Sequence, residues 1–215
     1  MKKIIVLISI FITLFGISNA NEVNIFSARH YDSDVQLYGK FTQKTGIKVN
    51  VVSGKDKAIQ KRIIEEINKD LKSGSKMFRL LQGDVGSGKT IISLIAASNV
   101  IESSFQATFM APTEILAEQH YNFAKTIFKG TNIKIGFLTG KTKVSDKKII
   151  IDKLSNGKID LLIGTHALFQ KKVFFNNLGL VIIDEQHKFG VKQRIELSNK
   201  GGKDCDVLLM SATPI

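Results

Sequence analysis

The sequence predicts an α/β fold, a parallel sheet with helices on both faces. Three observations carry that reading. Five apolar strand runs alternate with stretches of helical spacing between residues 77 and 197. The pattern G-x-x-x-x-G-K-[ST] stands between one strand run and one helical stretch. A later strand run ends in two adjacent carboxylates, at the edge where open parallel sheets bind ligands.

The chain opens with a segment that reads as an address rather than as fold. Lys2 and Lys3 precede an almost unbroken apolar run over residues 4–17, and Ser18-Asn19-Ala20 supplies the small residues that signal peptidase reads. Residues 1–20 therefore match a secretory signal peptide, with cleavage expected after Ala20. The run is shorter than the roughly 20 residues of a membrane-spanning helix; an uncleaved anchor is the alternative. Residues 23–26 read as a strand. Residues 34–44 place Val35, Leu37, Tyr38 and Phe41 at helical spacing, Gly46 closes that helix, and residues 47–52 alternate as a second strand. Residues 21–54 thus form a small β-α-β fragment. Residues 55–75 are a Lys-rich amphipathic junction helix, and residues 76–215 hold the main α/β domain.

That domain begins with a short apolar run from Met77 to Gln82. Gly83, Asp84, Val85, Gly86, Ser87, Gly88, Lys89 and Thr90 follow and satisfy the phosphate-loop pattern in full, and residues 91–101 continue as an apolar helix. Glycine lets the backbone turn tightly and aim N–H groups at phosphate, and the helix N-terminus adds partial positive charge. Lys89 is placed for the β- and γ-phosphates, and the Thr90 hydroxyl for Mg2+. Strand runs follow at 107–111, 135–138, 161–163 and 178–183, with helical stretches at 115–128, 146–154 and 191–197. The run at 178–183 delivers Asp184-Glu185-Gln186-His187. Asp184 is placed to hold Mg2+ through its water shell, and Glu185 to orient and deprotonate an attacking water.

Composition agrees with a globular chain. Its 215 residues are 43% hydrophobic and 23% charged, enough for one domain and a small extra piece. The formal net charge of +12 favours polyanionic partners. One cysteine, Cys205, allows no internal disulfide, and His30, His120, His166 and His187 show no metal-ligand spacing among themselves. His120 and Tyr121 read as packing or surface residues.

Five stretches carry a resemblance: residues 80–90 (LLQGDVGSGKT), 110–120 (MAPTEILAEQH), 164–168 (GTHAL), 178–191 (LGLVIIDEQHKFGV) and 211–215 (SATPI). They resemble superfamily 2 helicases of the Asp-Glu-x-His kind and, within these, the first motor domain of the RecG family of ATP-dependent DNA helicases. Lys188 stands where that family usually has Arg, which keeps the charge but loses a bidentate fork. The resemblance implies a RecA-like fold, ATP with Mg2+ as cofactors, and branched or single-stranded DNA as partner, held through its phosphate backbone. It implies that Gln60 reads adenine. Pro112, Thr113, Thr139, Gly140, Gly164, Thr165 and His166 are implied to touch the DNA backbone. Gln186, Ser211, Ala212 and Thr213 are implied to link nucleotide state to DNA grip, together with His187 of the catalytic tetrad.

Residues 21–54 resemble the start of mature iron(III)-binding periplasmic proteins that serve ABC transporters. By that resemblance His30 and Tyr31 stand at iron-ligand positions. One His and one Tyr cannot fill an octahedral iron site. Three readings follow: an ATP-binding helicase motor domain, incomplete and unable to unwind DNA alone; a periplasmic iron(III)-binding fragment; or an inert chimera joined within residues 54–66. The signal peptide predicts export, whereas motor chemistry belongs to the cytoplasm.

Overall fold

The computed structural model describes residues 22–27, 32–53, 56–190, 196–197, 199–202 and 204–212. The signal segment, His30, Tyr31, Thr213 and most of the helical stretch expected at 191–197 lie outside them. The chain divides into two compact units, one up to Ile59 and one from Gln60 onward.

The first unit is the expected β-α-β fragment. Strand β1 (Glu22–Ser27) pairs in parallel with β2 (Lys48–Ser53), and helix α1 (Asp32–Thr45) connects them. Gly46 adopts φ +73°, a left-handed conformation that glycine takes without steric cost. Its N–H donates to the Thr42 carbonyl at 2.8 Å and closes the helix.

Helix α2 (Asp56–Leu71) runs across the division. The second unit then reads β3 (Phe78–Gln82), α3 (Lys89–Glu102), β4 (Gln106–Met110), α4 (Glu114–Ile127), β5 (Ile135–Leu138), α5 (Val144–Ser155), β6 (Leu161–Gly164), β7 (Leu178–Ile183) and β8 (Asp206–Ser211). Its six strands form one all-parallel sheet in the order β3-β8-β7-β4-β6-β5. The sequence reading named five of these strands. The sixth, β8, carries the apolar run 207–210. It lies between the two strands that carry the nucleotide motifs.

Continuous apolar strands are what a parallel sheet covered on both faces requires. Successive side chains point to opposite faces, and the core divides accordingly. Leu180 and Ile182 of β7 join Phe109, Leu161, Ile163, Leu208 and Met210 in one cluster, closed by α2, α3 and α4. Val181 and Ile183 join Leu162, Val207, Leu209 and Leu154 of α5 in the other. Helices thus cover both faces, as expected. Cys205, just before β8, is buried, and that burial pushes its thiol pKa up to about 12.

From Gln60 onward, helix α2 packs into this unit. Ile63, Ile64, Ile67 and Leu71 pack into the first cluster, with Ile67 almost wholly buried. Arg79 of β3 pairs with Asp70 and Glu66 of the helix, and the Asp70 hydrogen bond raises the guanidinium pKa. The second compact unit begins at Gln60.

Candidate functional site

The loop after β3 is shaped by its glycines. Gly86 and Gly88 take φ +82° and +88°, where other residues are strained. A Cβ at Gly83 would lie 2.8 Å from Ser87 Oγ. The Ser87 N–H donates to the Asp84 carbonyl at 3.1 Å and tightens the turn. Helix α3 starts at Gly88 without a side-chain cap and with no acidic residue in its first turn. Its leading N–H groups and positive dipole end therefore suit an anion. Lys89 Nζ lies inside the turn, donating to the carbonyls of Gly83 at 2.5 Å and Asp84 at 2.8 Å. Gln60 closes the loop from α2, its Nε2 donating to the Ser87 carbonyl at 3.0 Å.

Asp184 follows β7. Alternation along the strand puts Leu180, Ile182 and then Asp184 toward the face that α3 and α4 cover. The carboxylate is buried; its Oδ1 accepts from the Glu185 N–H at 2.9 Å. Glu185 sits at φ 46°, a left-handed conformation for a non-glycine residue, of the kind concentrated at functional sites. Its carboxylate lies 3.4 Å from His187 Nδ1.

The two motifs share an edge of the sheet. Gln82 pairs with Ser211 and Ile183 with Leu209, so β8 alone separates the strands that deliver them. Two inter-strand spacings amount to about 10 Å. Ser211, at the end of β8, bridges the gap, its carbonyl accepting from the Gly83 N–H at 3.2 Å. Ser211 and Gln186, expected to act in coupling, are both buried, and Ser211 stands beside the phosphate loop.

The remaining implied residues lie on the other half of the edge, after β4, β5 and β6. Thr113 caps α4, accepting from the Leu116 N–H at 3.3 Å. Glu114 reaches the β5 loop, pairing with Lys141 Nζ at 2.8 Å and accepting from the Lys141 N–H. Lys141 holds the Glu114 carboxyl below its ordinary range. Gly140 faces both Glu114 and His166. Thr139 and Thr165 are buried, and Gly164 packs against β5; Thr113, Gly140 and His166 are exposed. Only part of the implied DNA-contact set therefore reaches the surface through side chains.

The DEAD/DEAH box helicase family model matches residues 57–215. The chain belongs to that family. Within it, the chain is 56% identical over 156 residues to the ATP-dependent DNA helicase RecG of Thermotoga maritima, covering 73% of this chain and 20% of that protein. It is similar to a solved structure of RecG bound to a three-way DNA junction, at 47% identity and TM-score 0.66, over 84% of this chain and 23% of that one. A DEAD box protein from the hyperthermophile Methanococcus jannaschii shares the fold at 21% identity and TM-score 0.53, over 70% of this chain and 43% of that one. The chain spans about a fifth of the length of its RecG relative. The reading of residues 21–54 as part of a periplasmic iron-binding protein finds no support in these similarities.

One residue of this helicase domain departs from its sequence reading. His120 is not a generic packing or surface residue. Its Nε2 lies 2.7 Å from Asp184 Oδ2, and its ring stacks on Phe109 with centroids 4.5 Å apart. The only sequence signal is its place two turns into the helix that follows Pro112-Thr113. Tyr121 does pack, against Phe137, with Lys125 over its ring.

Proposed function

We propose that the unit from Gln60 onward is the ATP-binding motor domain of a RecG-like DNA helicase, hydrolysing ATP to drive remodelling of branched DNA in repair and recombination. The observation that supports this best is the shared edge of β3, β8 and β7. It brings the phosphate loop, Ser211 and the Asp184-Glu185 pair to one place.

In this reading the Lys89 ammonium leaves the Gly83 and Asp84 carbonyls and, with the loop N–H groups, takes up the β- and γ-phosphates. Gln60, already on the loop, selects adenine. Among the described residues, no three His, Cys, Asp or Glu side chains cluster to hold a metal. A buried carboxylate beside a phosphate loop suits Mg2+, which draws its remaining ligands from phosphate and water. Asp184 and Thr90 would hold that ion, which supplies charge neutralisation on the phosphates. Glu185 orients a water and accepts its proton, with His187 positioned by the Glu185 carboxylate. Thr113, Gly140 and His166 meet the DNA backbone, which positions DNA without reading its sequence. Gln186, Ser211, Ala212 and Thr213 pass nucleotide state to that surface.

Thermal melting of the chain tests the nucleotide reading. Mg-ATP at a hundred times its Kd adds about 2.7 kcal/mol, a rise of roughly 5–10 °C for a chain of this size. Lys89→Ala is expected to abolish the rise. No rise in the parent chain, or an equal rise in the variant, refutes the reading.

A further inference from the structure

We infer that His120 is the positioning residue for Asp184, fixing the carboxylate in the orientation that metal binding needs. The inference rests on the functional reading above, in which Asp184 serves Mg2+.

A buried carboxylate needs hydrogen-bond donors, and the donors it finds set its plane. Asp184 has a hydrogen-bond partner on each oxygen: the Glu185 N–H donates to Oδ1 at 2.9 Å, and His120 Nε2 lies 2.7 Å from Oδ2. A carboxylate that serves a metal can only accept here, so in this arrangement Nε2 is the donor. Each oxygen keeps a further lone pair for the metal or its water shell.

The imidazole is itself held. Phe109 stacks on it at an interplanar angle of 28°, and both His120 and Asp184 side chains are about nine-tenths buried. Strand β4 secures the pair twice. Phe109 supports the ring, and the adjacent Met110 carbonyl accepts from the Asp184 N–H at 2.8 Å. Side-chain and backbone positions of Asp184 are therefore referred to one fully buried strand. Neither residue of the His120–Phe109 pair belongs to the nucleotide motifs. The arrangement matches how metal-ligating groups are oriented by partners that never touch the metal.

Titrating Mg2+ against a fluorescent ATP analogue on the full chain tests this. His120→Phe and His120→Leu both remove the donor; the first keeps an aromatic ring on Phe109, so the result does not hang on one replacement. Both are expected to raise the Mg2+ midpoint by about 10- to 100-fold. Nucleotide affinity in EDTA should stay within about 2-fold of the parent. His120→Gln, whose amide N–H can reach Oδ2, is expected to restore most of the midpoint. A packing role would instead lower affinity with and without Mg2+ alike, and Gln would rescue nothing. An unchanged midpoint in both donor-free variants overturns the inference while leaving the functional reading intact. A parent chain that binds no Mg-nucleotide overturns the functional reading and this inference with it.

Discussion

Gly164 shows how a residue can serve packing where its motif suggests contact. It ends β6 opposite Leu138 of β5, and a Cβ there would lie 1.9 Å from the Leu138 carbonyl oxygen. No rotamer relieves a clash with backbone, so the strands would have to part. Gly164→Ala is expected to cost about 3 kcal/mol, a fall of roughly 6–12 °C in melting temperature. A melt unchanged within error would show that the edge yields freely. Other residues were legible in the sequence because their chemistry is local. Gly83 to Thr90 act within one turn, and Asp184 and Glu185 are placed by the strand that precedes them. His120 was not, because its partner Asp184 is 64 residues away. Nothing in the spacing of residues 110–120 says which strand that helix face will meet.

At the scale of elements, α2 is the instructive case. Its sequence reads as a Lys-rich amphipathic junction helix, and Ile63, Ile64, Ile67 and Leu71 fall on one face and enter the core. Periodicity gave the helix; only the packed structure shows what that face meets. Ile67→Ala is therefore expected to destabilise the unit by about 2–4 kcal/mol, measured as a shifted urea midpoint with an unchanged slope. A loss below about 0.5 kcal/mol, the range for surface sites, would put α2 outside the cooperative unit. Strand β8 is the opposite case. Pairing on both sides with β3 and β7 makes it the element that joins the two nucleotide motifs. Those pairings are non-local and leave no periodic trace.

At the scale of the whole unit, strand order sorts the loops. Nucleotide motifs follow β3, β8 and β7, and the loops assigned to DNA follow β4, β6 and β5. Without nucleotide the coupling residues have no nucleotide state to pass on, and Lys89 follows β3, the strand at the far edge from β5. Lys89→Ala is accordingly expected to leave affinity for a labelled branched oligonucleotide, read by fluorescence anisotropy without nucleotide, within about 2-fold. That affinity should fall steeply with salt and be indifferent to base sequence. A tenfold loss in the variant would mean that the two surfaces overlap. By itself the sequence determined the α/β class, the phosphate loop, the acidic pair and the family. Each is written in contiguous residues whose spacing already carries the physics of a turn, a strand end or a helix face. Tertiary structure alone decided that β8 lies between the motif strands, that α2 belongs to the core, and that His120 grips Asp184. Those facts depend on which distant segments become neighbours, and burial and strand pairing choose neighbours without regard to distance along the chain.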